Sequence, residues 1–555
     1  MSSRRYIRRL ALILVFFFPL FWLIGIGRVP LFDLDETTYA ECSREMQVTR
    51  NYFYAQMAFL PFWEKPPGFF WIQSLSFDVW GVGSFGARFP NIVIGGLTLA
   101  VLFRLGARWH GEVFGLTWLF LYAISLLPSF YARSAIIDPT FNLLMLLATV
   151  VGVQGLVSSP LRAGLIFGLL TGLATLIKGP VGVGLPALAV ASVGVWQRKL
   201  SAVFRLALGA VIPYFLLVGG WLAGMALSGK AGVLRDFWDY QLGLFLRPFG
   251  GHKGPWYYHL AVLLVGMFPA SIWALRGWHL RHFPLPAQGL LFLTGWAILI
   301  FSLVQTKIIH YSSLAYYGIA YLGARVWREE QNWLQRWGWP SVAAGGLLLG
   351  LCTVLLGWLM TQRHLWERFI RDPFAIAALR NTPLNWQGTE GWMGILLMGG
   401  VSLLSLLQMK PHQRLIGLGL VLMVWEVLAL SSFAPRIEAY TQGPLRAFTQ
   451  AKAQEGAIVW PLGFRTAVTF FYGNMSPHAS PHLTRDAEAF QTLLLKGEAH
   501  FPFPYYFVSR VDRYKPFLET YPLRVIGQEG GYIFLELDWE RFYSGRGRRF
   551  GSASK

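Results

Sequence analysis

Acids stand beside bases at a few places in this otherwise greasy chain, and those places could do chemistry. The first stretch runs Asp33-Leu34-Asp35-Glu36-Thr37-Thr38-Tyr39-Ala40-Glu41-Cys42-Ser43-Arg44-Glu45-Met46, and a second reads Phe62-Trp63-Glu64-Lys65-Pro66-Pro67-Gly68. Asp138 follows Arg133-Ser134-Ala135-Ile136-Ile137 and precedes Pro139. A glycine-rich loop holds Arg247, His252 and Lys253, and Lys307-Ile308-Ile309-His310-Tyr311 closes the set. Carboxylates can move or orient protons. Lysine and arginine hold phosphate, and a neutral imidazole can ligate or carry a proton. A phosphate or diphosphate on a lipid would need such cations, often with a metal. A sugar would need carboxylates and aromatic faces.

Each stretch also has a plainer reading. Residues 36–48 contain no Gly or Pro and predict a helix, with Thr37 or Asp35 as its cap. Asp33, Asp35 and Glu36 would then sit at its N-terminus, where the macrodipole favours carboxylates. Glu64-Lys65 is a proline-stiffened turn that either fixes an acid beside a base or simply anchors aromatics at an interface. Asp138 is a helix cap or a site residue. Lys307 could snorkel, while His310 and Tyr311, three and four residues on, would share its helix face.

The elements that must position these residues are membrane spans. The 555 residues are 54% hydrophobic, 16% aromatic and 14% charged, with mean hydropathy +0.45. So large an apolar surface needs lipid as solvent. Apolar stretches at 10–27, 89–106, 113–130, 139–157, 163–178, 180–196, 206–227, 258–275, 286–304, 308–324, 340–361, 391–409 and 415–434 predict about thirteen transmembrane helices. The first is read as an uncleaved span. With the N-terminus in the cytoplasm, every inside connection carries Lys or Arg, which accounts for the net charge of +20 without a nucleic-acid partner. The loop 28–88, Lys178, the loop 228–257, the link at 304–308 and the tail after 434 then share the outer face. Glu426, inside the last span, is the main exception to this one-sidedness. Cys42 and Cys352 are not expected to pair.

The fold class is thus a polytopic α-helical membrane protein with a small extracytoplasmic C-terminal α/β domain. Residues 1–434 form the membrane domain and 435–543 the soluble one, with β-like runs near 457–462, 506–511, 523–526 and 531–537 and a helix near 485–496. The tail 544–555 is expected to be disordered. No Walker-type loop or dinucleotide fingerprint is present, so no nucleotide cofactor is expected.

Asp35-Glu36-x-x-Tyr39-Ala40-Glu41-x-x-Arg44-Glu45-Met46, Glu64-Lys65-Pro66, Asp138, the Gly254-Pro255-Trp256-Tyr257 run after His252, and Lys307-x-x-His310-Tyr311 resemble the bacterial lipid-A aminoarabinose transferases. With the protein O-mannosyltransferases these belong to the GT-C superfamily of polyprenyl-phosphate-sugar glycosyltransferases. The resemblance implies a sugar donor on undecaprenyl phosphate and an acceptor that is lipid A, another envelope glycan or a protein. It implies a bacterial inner-membrane location, with the active site and C-terminal domain periplasmic. It makes Asp35 the essential acid and Asp138 a second one. Glu64 and His252 match positions that can hold a divalent metal, and Lys65 matches a phosphate-binding position. Lys307 with Tyr311 lines the donor pocket, and Glu36, Tyr39 and His310 join the substrate-binding set. Lys65, Lys307 and Arg247 would stabilise the departing phosphate. Asp35 would act as base toward a hydroxyl acceptor, or orient an acceptor that is already anionic. The competing readings are a flippase of lipid-linked sugar, which should place polar residues at mid-membrane and on both faces, and a scaffold, which leaves the one-sided clusters unexplained.

Overall fold

A computed structural model gives the fold and describes residues 2–246, 254–384, 386–480, 487–496, 503–538 and 540. Arg247, His252 and the tail 544–555 lie outside the described residues. Helix occurs in all thirteen expected stretches. Among the described residues seven helices are long and apolar enough to cross a membrane, or up to nine if each of two helix pairs, bent by 73° and 118°, is one span. The chain is a multi-pass membrane protein. The four remaining stretches are carried by Ser2–Trp22, Asp138–Gly155, Val181–Trp196 and Tyr316–Glu329. Two of these adjoin the irregular backbone at Gly179-Pro180 and the 3-10 turn Ile309–Ala315. Non-helical backbone at membrane depth is tolerated where it lines a cavity or is buried in protein.

Contacts sort the charged residues into two ends. At one end Arg8 pairs with Glu112 at 2.6 Å, Arg276 with Glu330 at 3.3 Å, and Arg328 reaches the His110 carbonyl. These are connections expected to face the cytoplasm. The bent pair Tyr258–Gly266 and Ala270–Gly277 ends there too, through Arg276. At the other end lie Asp35, Glu64, Lys65, Asp138, Lys178 and His310.

Small residues let the elements carrying the site approach. A Cβ on Gly68 would stand 2.7 Å from the Leu176 carbonyl oxygen. That glycine lets the helix Gly68–Trp80, just after Lys65, lie against Pro160–Lys178. Gly179, at φ +89, then ends the second helix directly after Lys178.

The C-terminal region forms a mixed four-stranded sheet in the order Ile458–Leu462, Tyr505–Arg510, Tyr532–Leu537, Leu523–Glu529; the first pair is parallel and the others antiparallel. The helix Ala487–Lys496 packs on it through Phe490, Leu494 and Leu495. The boundary expected at 434 falls inside one unbroken helix, Pro411–Thr441, and the next helix begins at Gly443. The change of composition at 435 marks where this helix becomes polar, not where it stops. The outer loop also reaches into the C-terminal core: the hairpin of Gln56–Met57 and Leu60–Pro61 inserts Ala58 and Phe59 among Ile458, Trp460 and Phe507.

Candidate active site

The helix over Asp35–Thr49 is present but begins differently from the expectation. Leu34 precedes it at φ 72, and no side chain caps its first turn. Asp33 is used elsewhere, accepting hydrogen bonds from the Thr37 hydroxyl at 3.0 Å and the Ala467 amide at 3.2 Å. Successive helical side chains diverge by about 100°, so Asp35 and Glu36 face different neighbours.

Glu36 was expected to bind substrate, but its carboxylate is fully engaged in the fold. It takes two hydrogen bonds from Arg88, at 2.7 and 2.8 Å, and the amides of Ala135 and Phe32 at 2.6 and 3.0 Å. Burial alone would raise its pKa; Arg88 and the amides outweigh that and hold it below the usual glutamate range. Along the same helix Arg44 forks onto Glu41 with two bonds of 2.7 Å. Glu45 accepts the Phe59 amide at 2.8 Å, and burial together with Glu41 pushes its carboxyl well above the usual range.

Asp35 points the other way. It accepts the Tyr39 hydroxyl at 3.2 Å and faces His310 Nδ1 at 3.9 Å, with its side chain 45% exposed. The opposite ring nitrogen of His310 lies 3.8 Å from Asp138. Asp138 starts the helix Asp138–Gly155, yet no side chain caps that helix. Its Oδ1 instead accepts from Lys178 Nζ at 2.5 Å, and its buried Oδ2 has no hydrogen-bond partner among the described residues. The cap reading of Asp138 therefore fails. Lys178 also lies 5.1 Å from the Tyr311 ring centre. Asp35, Tyr39, Asp138, His310 and Tyr311 form one cluster.

Two cavities meet at this cluster. One is lined by Lys65, Lys178, Asp138 and Tyr311 and by apolar groups such as Met145 and Leu185. The other, the larger of the two, has Asp35, His310, Arg28 and Arg133 on its wall and apolar groups from Ile24 and Leu430. Arg133 reaches Glu426 at 3.7 Å and lies over Phe21. Glu426 is thus the counter-charge of an arginine beside the second cavity, which explains the exception within the last span.

Lys307 departs from its expected role. Its ammonium donates to the carbonyls of Phe301, Ser302 and Val304, at 3.1, 2.6 and 2.6 Å. It caps the C-terminal end of Leu285–Leu303, where the helix leaves carbonyls unpaired. Lys178, and not Lys307, lines the cavity beside Lys65 and Asp138. The signal for it was present: a lysine followed by Gly179-Pro180, between two apolar stretches, on the outer side. Glu64 is nine-tenths buried and forms an ion pair with Arg465, a residue sequence reasoning did not select. Among the described residues no three of His, Cys, Asp and Glu gather as a cation cage. Of the two expected metal ligands only Glu64 is described, and it already holds Arg465.

The chain's relatives fit the same picture. Residues 64–221 match the family model described as dolichyl-phosphate-mannose-protein mannosyltransferase. An undecaprenyl phosphate-alpha-4-amino-4-deoxy-L-arabinose arabinosyl transferase of Aeromonas hydrophila is 27% identical over 310 residues, covering 53% of this chain and 56% of that protein. The corresponding protein of Edwardsiella ictaluri is 28% identical over 368 residues, covering 63% and 66%. The chain thus spans little more than half the length of the first of these relatives. The crystal structure of ArnT from Cupriavidus metallidurans bound to undecaprenyl phosphate superposes with a TM-score of 0.75 at 17% identity, covering 96% of this chain and 98% of that one, and so shares the fold. The resemblance to GT-C polyprenyl-phosphate-sugar glycosyltransferases read from the motifs is borne out.

Proposed function

We propose that the chain is an integral-membrane glycosyltransferase. It moves a sugar from undecaprenyl phosphate, or a similar polyprenyl phosphate, to an envelope acceptor such as lipid A, on the outer face of the bacterial inner membrane. The named activity of the curated relatives and the shared fold support the donor class. The observation that carries the reading is the cluster of Asp35, His310 and Asp138 where two cavities meet, one lined by lysines and the other by arginines.

The donor phosphate occupies the smaller cavity. Lys65 and Lys178 face it and offset the charge that develops as the sugar–phosphate bond breaks. The apolar walls take the first isoprene units. The acceptor occupies the larger cavity, with its nucleophile against Asp35, the more exposed of the two carboxylates. A hydroxyl acceptor gives its proton to Asp35; an anionic acceptor needs no base. His310 stands between the carboxylates, 3.9 Å from Asp35 and 3.8 Å from Asp138. Asp138 keeps Lys178 in place. No step is assigned to a metal; Glu64 is engaged by Arg465 through Oε1.

The test uses the purified full chain with a panel of undecaprenyl-phosphate sugars and an extract of envelope lipids. Release of undecaprenyl phosphate should depend on both donor and extract. Release that is independent of any acceptor, or absent with every donor in an otherwise folded protein, would overturn the reading.

A further inference from the structure

We infer that Arg465, from the C-terminal region, is a positioning residue for the donor site: it neutralises Glu64 and thereby leaves the neighbouring Lys65 free for the donor phosphate. The inference rests on the assignment of Lys65 to that phosphate and adds a role for the C-terminal region.

Glu64 and Lys65 are adjacent, and Lys65 lines the donor cavity. Left alone, a buried carboxylate would be the natural partner of the next residue's ammonium. The structure gives it other partners. Arg465 pairs with Glu64, the Tyr240 hydroxyl hydrogen-bonds it, and the Gln241 amide donates to its backbone carbonyl at 3.4 Å. Lys65 lies 5.3 Å from the centre of the Tyr240 ring. Among the described residues it makes no hydrogen bond or ion pair. The Arg465 side chain is itself half exposed, so the pair closes the site from the C-terminal side without being buried in a core.

The pair is not what holds the C-terminal region in place. Gln442 accepts from the Asp33 amide at 2.5 Å and donates to the Leu31 carbonyl at 2.7 Å, and the Tyr472 hydroxyl accepts from the Leu31 amide at 2.7 Å. Arg44 donates to Asn474 and to the Met475 carbonyl. Ala58 and Phe59 add an apolar anchor in the C-terminal core. Removing the Arg465 charge therefore leaves the docking intact and Glu64 uncompensated. The freed carboxylate then repels a phosphate and draws on Lys65.

The experiment measures undecaprenyl phosphate binding to the full chain in nanodiscs by calorimetry, with thermal midpoints recorded for every variant. Arg465→Gln should weaken binding roughly tenfold, and Arg465→Lys should bind close to wild type. The double variant Arg465→Gln/Glu64→Gln should recover the affinity of Glu64→Gln alone, because no carboxylate is left to neutralise. A purely structural contact predicts the opposite: a double variant no better than Arg465→Gln, which would overturn the inference. Wild-type binding by Arg465→Gln while Lys65→Ala loses binding would also overturn it and leave the donor assignment standing. Wild-type binding by Lys65→Ala would remove the donor assignment and this inference with it.

Discussion

Asp35 and Glu36 are neighbours on one helix and opposites in environment. Glu36 faces inward and receives four hydrogen bonds, two of them from Arg88. Asp35 faces a cavity, with one hydroxyl donor and an imidazole just beyond hydrogen-bond distance. The inner face of the helix continues the first pattern at Glu41, whose two oxygens both accept from Arg44. A carboxylate whose acceptor capacity is filled holds structure, and its acidity alone says nothing about chemistry. One with spare capacity beside a cavity is available to substrate.

Substitutions at these positions test the contrast. Asp35→Asn should lower turnover roughly 10³-fold with an unchanged thermal midpoint and unchanged undecaprenyl phosphate binding, read in the same nanodiscs. Glu36→Ala should do the reverse in kind. It leaves a buried guanidinium unpaired, at a cost of about 3 to 5 kcal/mol of stability, seen as a lower midpoint and poorer yield. If the two variants behaved alike, the division between site and strut would be lost. A smaller effect concerns pH. Burial, the largest influence on it, holds the Lys65 ammonium below the ordinary lysine range. Its proton is therefore lost at lower pH than a free lysine's, and donor affinity should fall correspondingly early as pH rises. Lys65→Arg should move that alkaline fall upward; an unmoved profile would detach it from Lys65. The smallest effect is expected at Lys307. Replacing it with Met uncaps a helix end and costs about 1 kcal/mol, but donor affinity should stay within twofold of wild type, whereas Lys178→Met should reduce it.

The membrane class, the placing of helix in all thirteen stretches and all four C-terminal strands were legible because each is a local signal. Apolar runs, basic flanks and alternating β-branched residues do not depend on distant contacts. Asp35, Asp138, His310 and Tyr311 were legible as chemistry because one-sided topology set them on a common face. The failures share one cause. Glu36 turns inward because Arg88, 52 positions away, waits for it. Lys307 folds back onto carbonyls of its own helix end, a geometry that a lysine at a span boundary does not advertise. Lys178 shares an end of the molecule with Asp138, but nothing local in the sequence marks their pairing, because it spans 40 residues. Arg465 lies 401 residues from Glu64, in a region where composition shows only a change to polar sequence. The helix that runs through residue 434 shows the same limit, since a drop in apolarity marks the end of a span and not the end of a helix.

Sugar transfer from a polyprenyl phosphate to an acceptor across Asp35 is what the proposed function rests on. Its most direct test is the mass spectrum of envelope lipids and lipid-linked intermediates from cells carrying the wild-type chain, Asp35→Asn, or neither. Wild type should show acceptor heavier by one sugar residue and little polyprenyl-phosphate sugar. Asp35→Asn, at equal protein level, should match the empty cells, with unmodified acceptor and accumulated donor. Modified acceptor in the Asp35→Asn cells at the wild-type level would contradict the account.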